Sequence, residues 1–213
     1  MNKLNFLLNK NKTLIMILIV CLISAILQGN SSFFYGSHMI KTTLFAIITF
    51  LFLGYLYYLS VTDKLHEENA VFMITLAGVL LRAFYIIFTG VYDRQHDGGA
   101  FSSLSDDFVN AGHLGYIEYF CKFGHLPNFS PYKLFSYYHP PLHHIISAVF
   151  IKLNLLFGVK EALAFENVQI LTLAYSSFCI PISYKIFKKI NMSGKHILLS
   201  LALIAFHPGM IYM

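Results

Sequence analysis

Six apolar runs divide the chain. They cover 13–28, 43–60, 71–90, 141–157, 163–187 (interrupted by Pro181) and 197–213. A helix needs about 20 predominantly apolar residues to cross the hydrocarbon core of a bilayer. The first run is slightly short and extends back into Leu7 and Leu8. No small-x-small cleavage site follows it, so it reads as an anchor that stays rather than a removed signal. The pattern predicts an all-α polytopic membrane protein of about six hydrophobic helices. They fall into an N-terminal membrane segment (1–90), a long outer loop (91–138) and a second membrane segment (139–213).

Within the loop, Val109, Leu114, Ile117, Tyr119, Phe120 and Phe123 recur among polar residues, which predicts a surface-lying amphipathic helix over 108–124. Gly112, Gly115 and Gly124 work against that helix, each by about 1 kcal/mol relative to alanine. Leu126-Pro127 and Ser130-Pro131 read as extended or turn dipeptides, forming an irregular arm that returns to the membrane.

Charge orients the chain. Lys3, Lys10 and Lys12 precede the first run and place that end in the cytoplasm, while the next linker carries only Lys41. Three crossings then put 91–138 outside. If 141–157 and 163–187 both cross as well, the basic cluster Lys185, Lys188, Lys189 and Lys195 also falls outside, against the charge rule. Either one of those segments is partial, re-entrant or interfacial, or the rule fails there. The last run is apolar to the final residue without a basic flank, which leads us to expect a truncated or fragmentary product.

Composition agrees with lipid as the solvent. Apolar residues make up 57%, charged residues 12%, and mean hydropathy is +0.63, against about 25% charged in a soluble domain. A net charge of +5, dispersed along the chain, does not suggest nucleic-acid binding. Cys21, Cys121 and Cys179 are too few and too widely spaced for a disulfide framework or a metal knuckle.

The candidate chemistry lies at the two ends of the loop. Its opening carries Asp93, Arg94, His96 and Asp97, and Asp106, Asp107 and Glu118 follow. An ionised carboxylate at a membrane–water boundary can take a proton from a hydroxyl nucleophile. Arg94 and His96 could hold phosphate oxygens. The same spacing also suits a solvated turn that merely caps the third run. At the closing end, His139 precedes Pro140-Pro141, and His143 and His144 follow on the first turns of a helix whose N-terminus favours anions. These histidines suit a lipid phosphate, or equally an interfacial anchor. His96, Asp97, His139 and His143 are suitable metal-ligand types, but no tight spacing such as H-E-x-x-H is present, and divalent metal use stays open. Arg82 lies inside the third run, with Glu166 as a candidate partner or an interfacial residue.

Gln95-His96-Asp97, the run Gly112-His-Leu-Gly-Tyr-Ile-Glu-Tyr119, Leu126-Pro127 and Tyr138-His139-Pro140-Pro141-Leu142 occur in the order found at the start of the GT-C glycosyltransferases. The chain most resembles bacterial family 39 enzymes and the protein O-mannosyltransferases, over 92–144. Gly98 stands where the family has glutamate, and His143 replaces a glycine-lysine continuation. The resemblance implies a cell-membrane enzyme that passes a sugar from a polyprenyl-phosphate donor to an extracytoplasmic glycan, lipid or protein. Asp97 would be the general base, with Asp93 as the alternative, and His139 would contact the carrier phosphate. Arg94 is added on charge alone. A non-catalytic membrane scaffold or remnant acting with a partner is the second reading, and a histidine-rich metal transporter the third.

Overall fold

A computed structural model describes residues 11–91, 102–103 and 110–212. Helix α1 (Lys12–Gly29) passes through the single turn α2 (Ser31–Phe34) into α3 (His38–Val61), and α4 (Glu67–Phe88) packs against α1 and α3. Strands β1 (Ser102–Ser103) and β2 (Asn110–Ala111) pair antiparallel, Ser102 opposite Ala111. Then follow α5 (Gly112–Phe123), α6 (Leu142–Leu156), α7 (Glu161–Glu166), α8 (Gln169–Lys189), α9 (Gly194–Phe206) and α10 (Pro208–Tyr212).

Four stretches are long and apolar enough to cross a membrane: α1, α3, α4 and Glu161–Lys189. The other two of the six expected spans are shorter apolar helices. Helices α6 and α9 have 15 and 13 residues, so they extend about 22 Å and about 20 Å against a hydrocarbon core of about 30 Å. Pro181 does not interrupt α8, which runs on to Lys189. Its flanks are held from both sides: Leu173 packs with α1 and α4, and Ile180 packs with α9. Such neighbours make a proline inside an apolar helix tolerable.

Side-chain bonds at the helix termini show which ends lie together. At one end, the last-turn carbonyls of α4, which helical N–H groups leave without partners, are capped from three directions. The Gln28 amide donates to the Ile86 carbonyl at 2.7 Å, Lys41 Nζ donates to Ile87 at 3.2 Å, and Gln169 donates to Thr89 at 3.3 Å. Lys41, expected in a linker, is a buried residue of α3 that also bonds the Phe34 carbonyl. At the opposite end, Lys12 donates to Asn69, and the Glu67 carboxylate accepts from Tyr184 and Lys188. Glu67 and Glu68 also place negative charge at the N-terminus of α4, where the helix dipole favours it.

Helix α6 begins and ends on the side of the first group. Its first turn packs on α5, and near its C-terminus Asn154 accepts from Asn167, whose amide also reaches the Ala25 carbonyl. Ala25 lies about one turn before Gln28. Because α6 and α7 start and finish at one end of the bundle, α8 returns the chain to the other. This brings Lys185, Lys188 and Lys189 to the end that holds Lys12. The conflict raised by two successive crossings does not arise in this arrangement.

Arg82 is fully buried, and Glu166 is not its partner. Its Nη1 donates to the carbonyls of Gly78 (2.9 Å) and Ala205 (2.7 Å), and its Nη2 to Ile204 (3.2 Å). The cause lies in the sequence following α9. Pro208 has no N–H to offer the Ile204 carbonyl, and the Gly209 N–H turns to His207 Nδ1 instead of Ala205. The guanidinium thus satisfies carbonyls orphaned at the C-terminus of α9, the negative end of its dipole. Replacing Arg82 with methionine is expected to lower stability by about 2 kcal/mol, with Arg82→Lys intermediate. Thermal unfolding in detergent micelles reads the difference.

Candidate histidine site at the loop end of the bundle

The site stands on an aromatic layer where the start of the loop, its helix and its return arm share one core. Val91, Tyr116, Tyr137, Ala148 and Phe165 belong to a single buried cluster. Val91 is the last described residue before the loop, and its N–H donates to Glu166 Oε2 at 2.6 Å. Gln169, from the first turn of α8, donates to the same oxygen at 3.1 Å. The point where the chain leaves α4 is thereby tied to the α7–α8 junction.

Helix α5 is positioned by its backbone neighbours. Gly112 adopts φ 87° and donates its N–H to the Phe135 carbonyl on the return arm. At Gly115 a side chain would collide with the Asn110 carbonyl oxygen, so the chain can fold this tightly into the helix only with hydrogen there. The Tyr137 hydroxyl stands 3.0 Å from the Asn110 carbonyl and 3.1 Å from that of Gly115, and shares its proton between them. Burial pushes this hydroxyl well above the ordinary phenol range, with Glu118 acting in the same direction, so it remains a donor. Glu118 itself accepts from Asn110 and pairs with Lys122 one turn on. It therefore helps to fasten α5.

Three imidazoles gather on this support. His113 Nδ1 lies 3.1 Å from His144 Nε2. Their rings are 7° from coplanar with centroids 5.4 Å apart, close to the largest separation that contact allows, so the two nitrogens meet head-on. The His139 ring lies 4.8 Å from that of His113, and Tyr116 lies 4.5 Å from His144. Tyr116 in turn stacks on Tyr137 at 4.2 Å. Ser136, buried with φ 71°, turns the arm so that the His139 N–H bonds back to the Ser136 carbonyl. His144 lies outside the four membrane-length stretches. Burial, followed by the adjoining His113 and His143 rings, pushes its imidazole down to about 4, which makes it neutral at pH 7.

Of the residues singled out from sequence, His139 and His144 are in this cluster. His143 is exposed and faces away, its ring 6.1 Å from that of Tyr175 on α8. Asp93, Arg94, His96, Asp97, Asp106 and Asp107 lie outside the described residues. Among the described residues no group of three or more His, Cys, Asp or Glu side chains is placed to hold a metal ion. The collinear approach of His113 and His144 is that of a shared proton, unlike the bent angle two ligands subtend at tetrahedral zinc. Sequence reading missed the partnership of His113 with His144. The one signal was spacing: His113 and Tyr116 are three apart and share a helix face.

Compared with known proteins, the chain matches no family model, no curated protein and no solved structure. What is established directly is a predominantly helical chain with several helices apolar and long enough to cross a membrane.

Gly115→Ala is expected to cost about 2 kcal/mol through overpacking against Asn110, and Tyr137→Phe about 1 kcal/mol through the lost hydrogen bond. Thermal melts of the purified variants check both values. In each, the intrinsic fluorescence of the tyrosine layer should change, since α5 is held by these contacts.

Proposed function

We propose that the chain is a membrane-embedded sugar transferase, or the N-terminal part of one, that uses a polyprenyl-phosphate donor at the outer face of the cell membrane. The observation that carries this reading is the shared core of Val91 and Tyr137. It ties both ends of the acidic loop to the layer that holds the histidines. A carboxylate base and an electropositive seat for a phosphate are the two ingredients that inverting transfer requires. Asp97, or Asp93 in its place, takes the proton from the acceptor hydroxyl as that oxygen bonds to the anomeric carbon. The bond from that carbon to the phosphate oxygen breaks, and the polyprenyl phosphate leaves with the electron pair. His139, with the N-terminus of the 15-residue α6 behind it, favours the departing anion. Arg94 and His96 supply further cationic or hydrogen-bonding capacity around it, whereas His143 faces away toward Tyr175.

Orientation follows from the lysines. With Lys12 and Lys188 at one end of the bundle, the positive-inside rule places that end in the cytoplasm and the histidine layer outside. The second reading, a non-catalytic scaffold, draws on α3, whose most apolar 18-residue window is only 6% buried. That helix leaves most of its surface for lipid or a partner.

Two experiments test the proposal. Asp97→Asn is expected to slow sugar transfer from a lipid-linked donor by about 100-fold or more in the full-length protein. Undiminished turnover in both Asp97→Asn and Asp93→Asn would refute the base assignment. Reporter fusions at Lys160 and Lys189 should read outside and inside, respectively. The same side for both would refute the orientation.

A further inference from the structure

From the path of α6 beside the crossing helices, we infer that α6 is a re-entrant helix of the outer leaflet, with a second apolar face turned to the acyl chains of that leaflet. The inference rests on the membrane reading and not on sugar transfer. At about 3.6 residues per turn, Leu142, Ile145, Ile146, Val149, Leu153 and Leu156 form one stripe along α6, and all of them are exposed. The opposite face carries His144, Ser147, Ala148 and Ile151, which are buried. His143 and Lys152, both exposed, lie along the two borders between these faces. A helix at a protein–water surface carries polar groups where α6 has its stripe.

The neighbours of α6 give its depth. Near its start the His143 ring lies 6.1 Å from that of Tyr175, and near its end Asn154 accepts from Asn167. Both partners belong to the membrane-length stretch Glu161–Lys189, with Tyr175 about two turns further in than Asn167. Helix α6 therefore runs antiparallel to the first part of that stretch, from within the bilayer back toward its surface. Between these contacts Phe150 packs against the cluster of Ile17, Val79 and Leu173, one from each of three crossing helices. A face turned outward at that depth meets hydrocarbon, as Leu22 of α1 does. The charges agree. No Lys, Arg, Asp or Glu occurs from Leu142 to Ile151, and Lys152 stands in the shallow half, where its long side chain reaches headgroup phosphates. With no carboxylate on α6, the stripe offers lipid a better fit than it offers a basic partner protein. Leu142, at the deep end, follows His139 by one turn, so the histidine layer borders lipid from the side.

Methyl spectra of the full wild-type chain, labelled at Ile, Leu and Val and held in phosphatidylcholine–phosphatidylglycerol nanodiscs, test this. Two relaxation agents are compared: a lipid with a nitroxide on its acyl chain and a water-soluble gadolinium chelate. Ile146→Val, Val149→Ile and Leu153→Ile serve only to assign the signals. The methyls of Leu142, Ile146, Val149 and Leu153 should lose most of their intensity to the nitroxide lipid, in step with Leu22 of α1, and keep it with the chelate. Ile151, on the buried face, should keep its intensity with both. Loss of the stripe signals to the chelate would show that the face meets water and overturn the inference. Retention with both agents would show that protein covers it, whether a second copy of this chain or another partner, and would overturn it equally. The wild-type chain gives the answer, so no outcome depends on whether a variant folds, and the Asp97→Asn assay judges the transferase reading separately.

Discussion

One buried carboxylate organises the loop end of this bundle. Glu166 receives the Val91 N–H just where the chain leaves α4, and Gln169 bridges the same oxygen to the Thr89 carbonyl. An N–H at the end of an apolar helix has lost its place in the helical ladder, and burying it without a partner costs about 1–3 kcal/mol. Glu166 removes that cost and sets the position from which the loop departs. The return arm is held to the same core by Tyr137, so the departure and arrival points of the loop are fixed relative to each other.

The same economy of polar groups recurs through the bundle. Gln28, Lys41, Gln169 and Arg82 all donate to backbone carbonyls at or near helix termini. In an apolar medium these carbonyls have no water to turn to, and an intramembrane cation is expensive unless it is bonded. Combining the two costs removes both. Arg82 needs no carboxylate because the C-terminus of α9 already supplies a partial negative charge. Glu166 is thereby left to serve the loop.

Much of the helical framework was legible from hydropathy alone. The three N-terminal runs and the run beginning near Leu163 correspond to the four membrane-length stretches, and the amphipathic spacing over 108–124 contains α5. Hydropathy did not show the path of α6, because a period of 3.6 reports which face is apolar and says nothing about where the two ends go. The charge rule raised the same question, through Lys185 to Lys195. The Arg82–Glu166 pairing failed for another reason: a missing N–H at Pro208, more than a hundred positions away, creates an acceptor that no charge pattern displays. The His113–His144 contact was illegible because two segments meet only after α5 and α6 pack. His139 was found from its proline neighbours, whereas His143, one turn along, faces away from the cluster.

The tie between Glu166 and Val91 is tested most directly by amide hydrogen exchange at Val91, in the wild-type protein and in Glu166→Ala. The amide should be protected in the wild type and exchange about tenfold faster or more in the variant, with the interior of α4 unchanged. Equal exchange in the two proteins would mean that the loop is not anchored here, and its two ends would no longer be held to a common histidine layer.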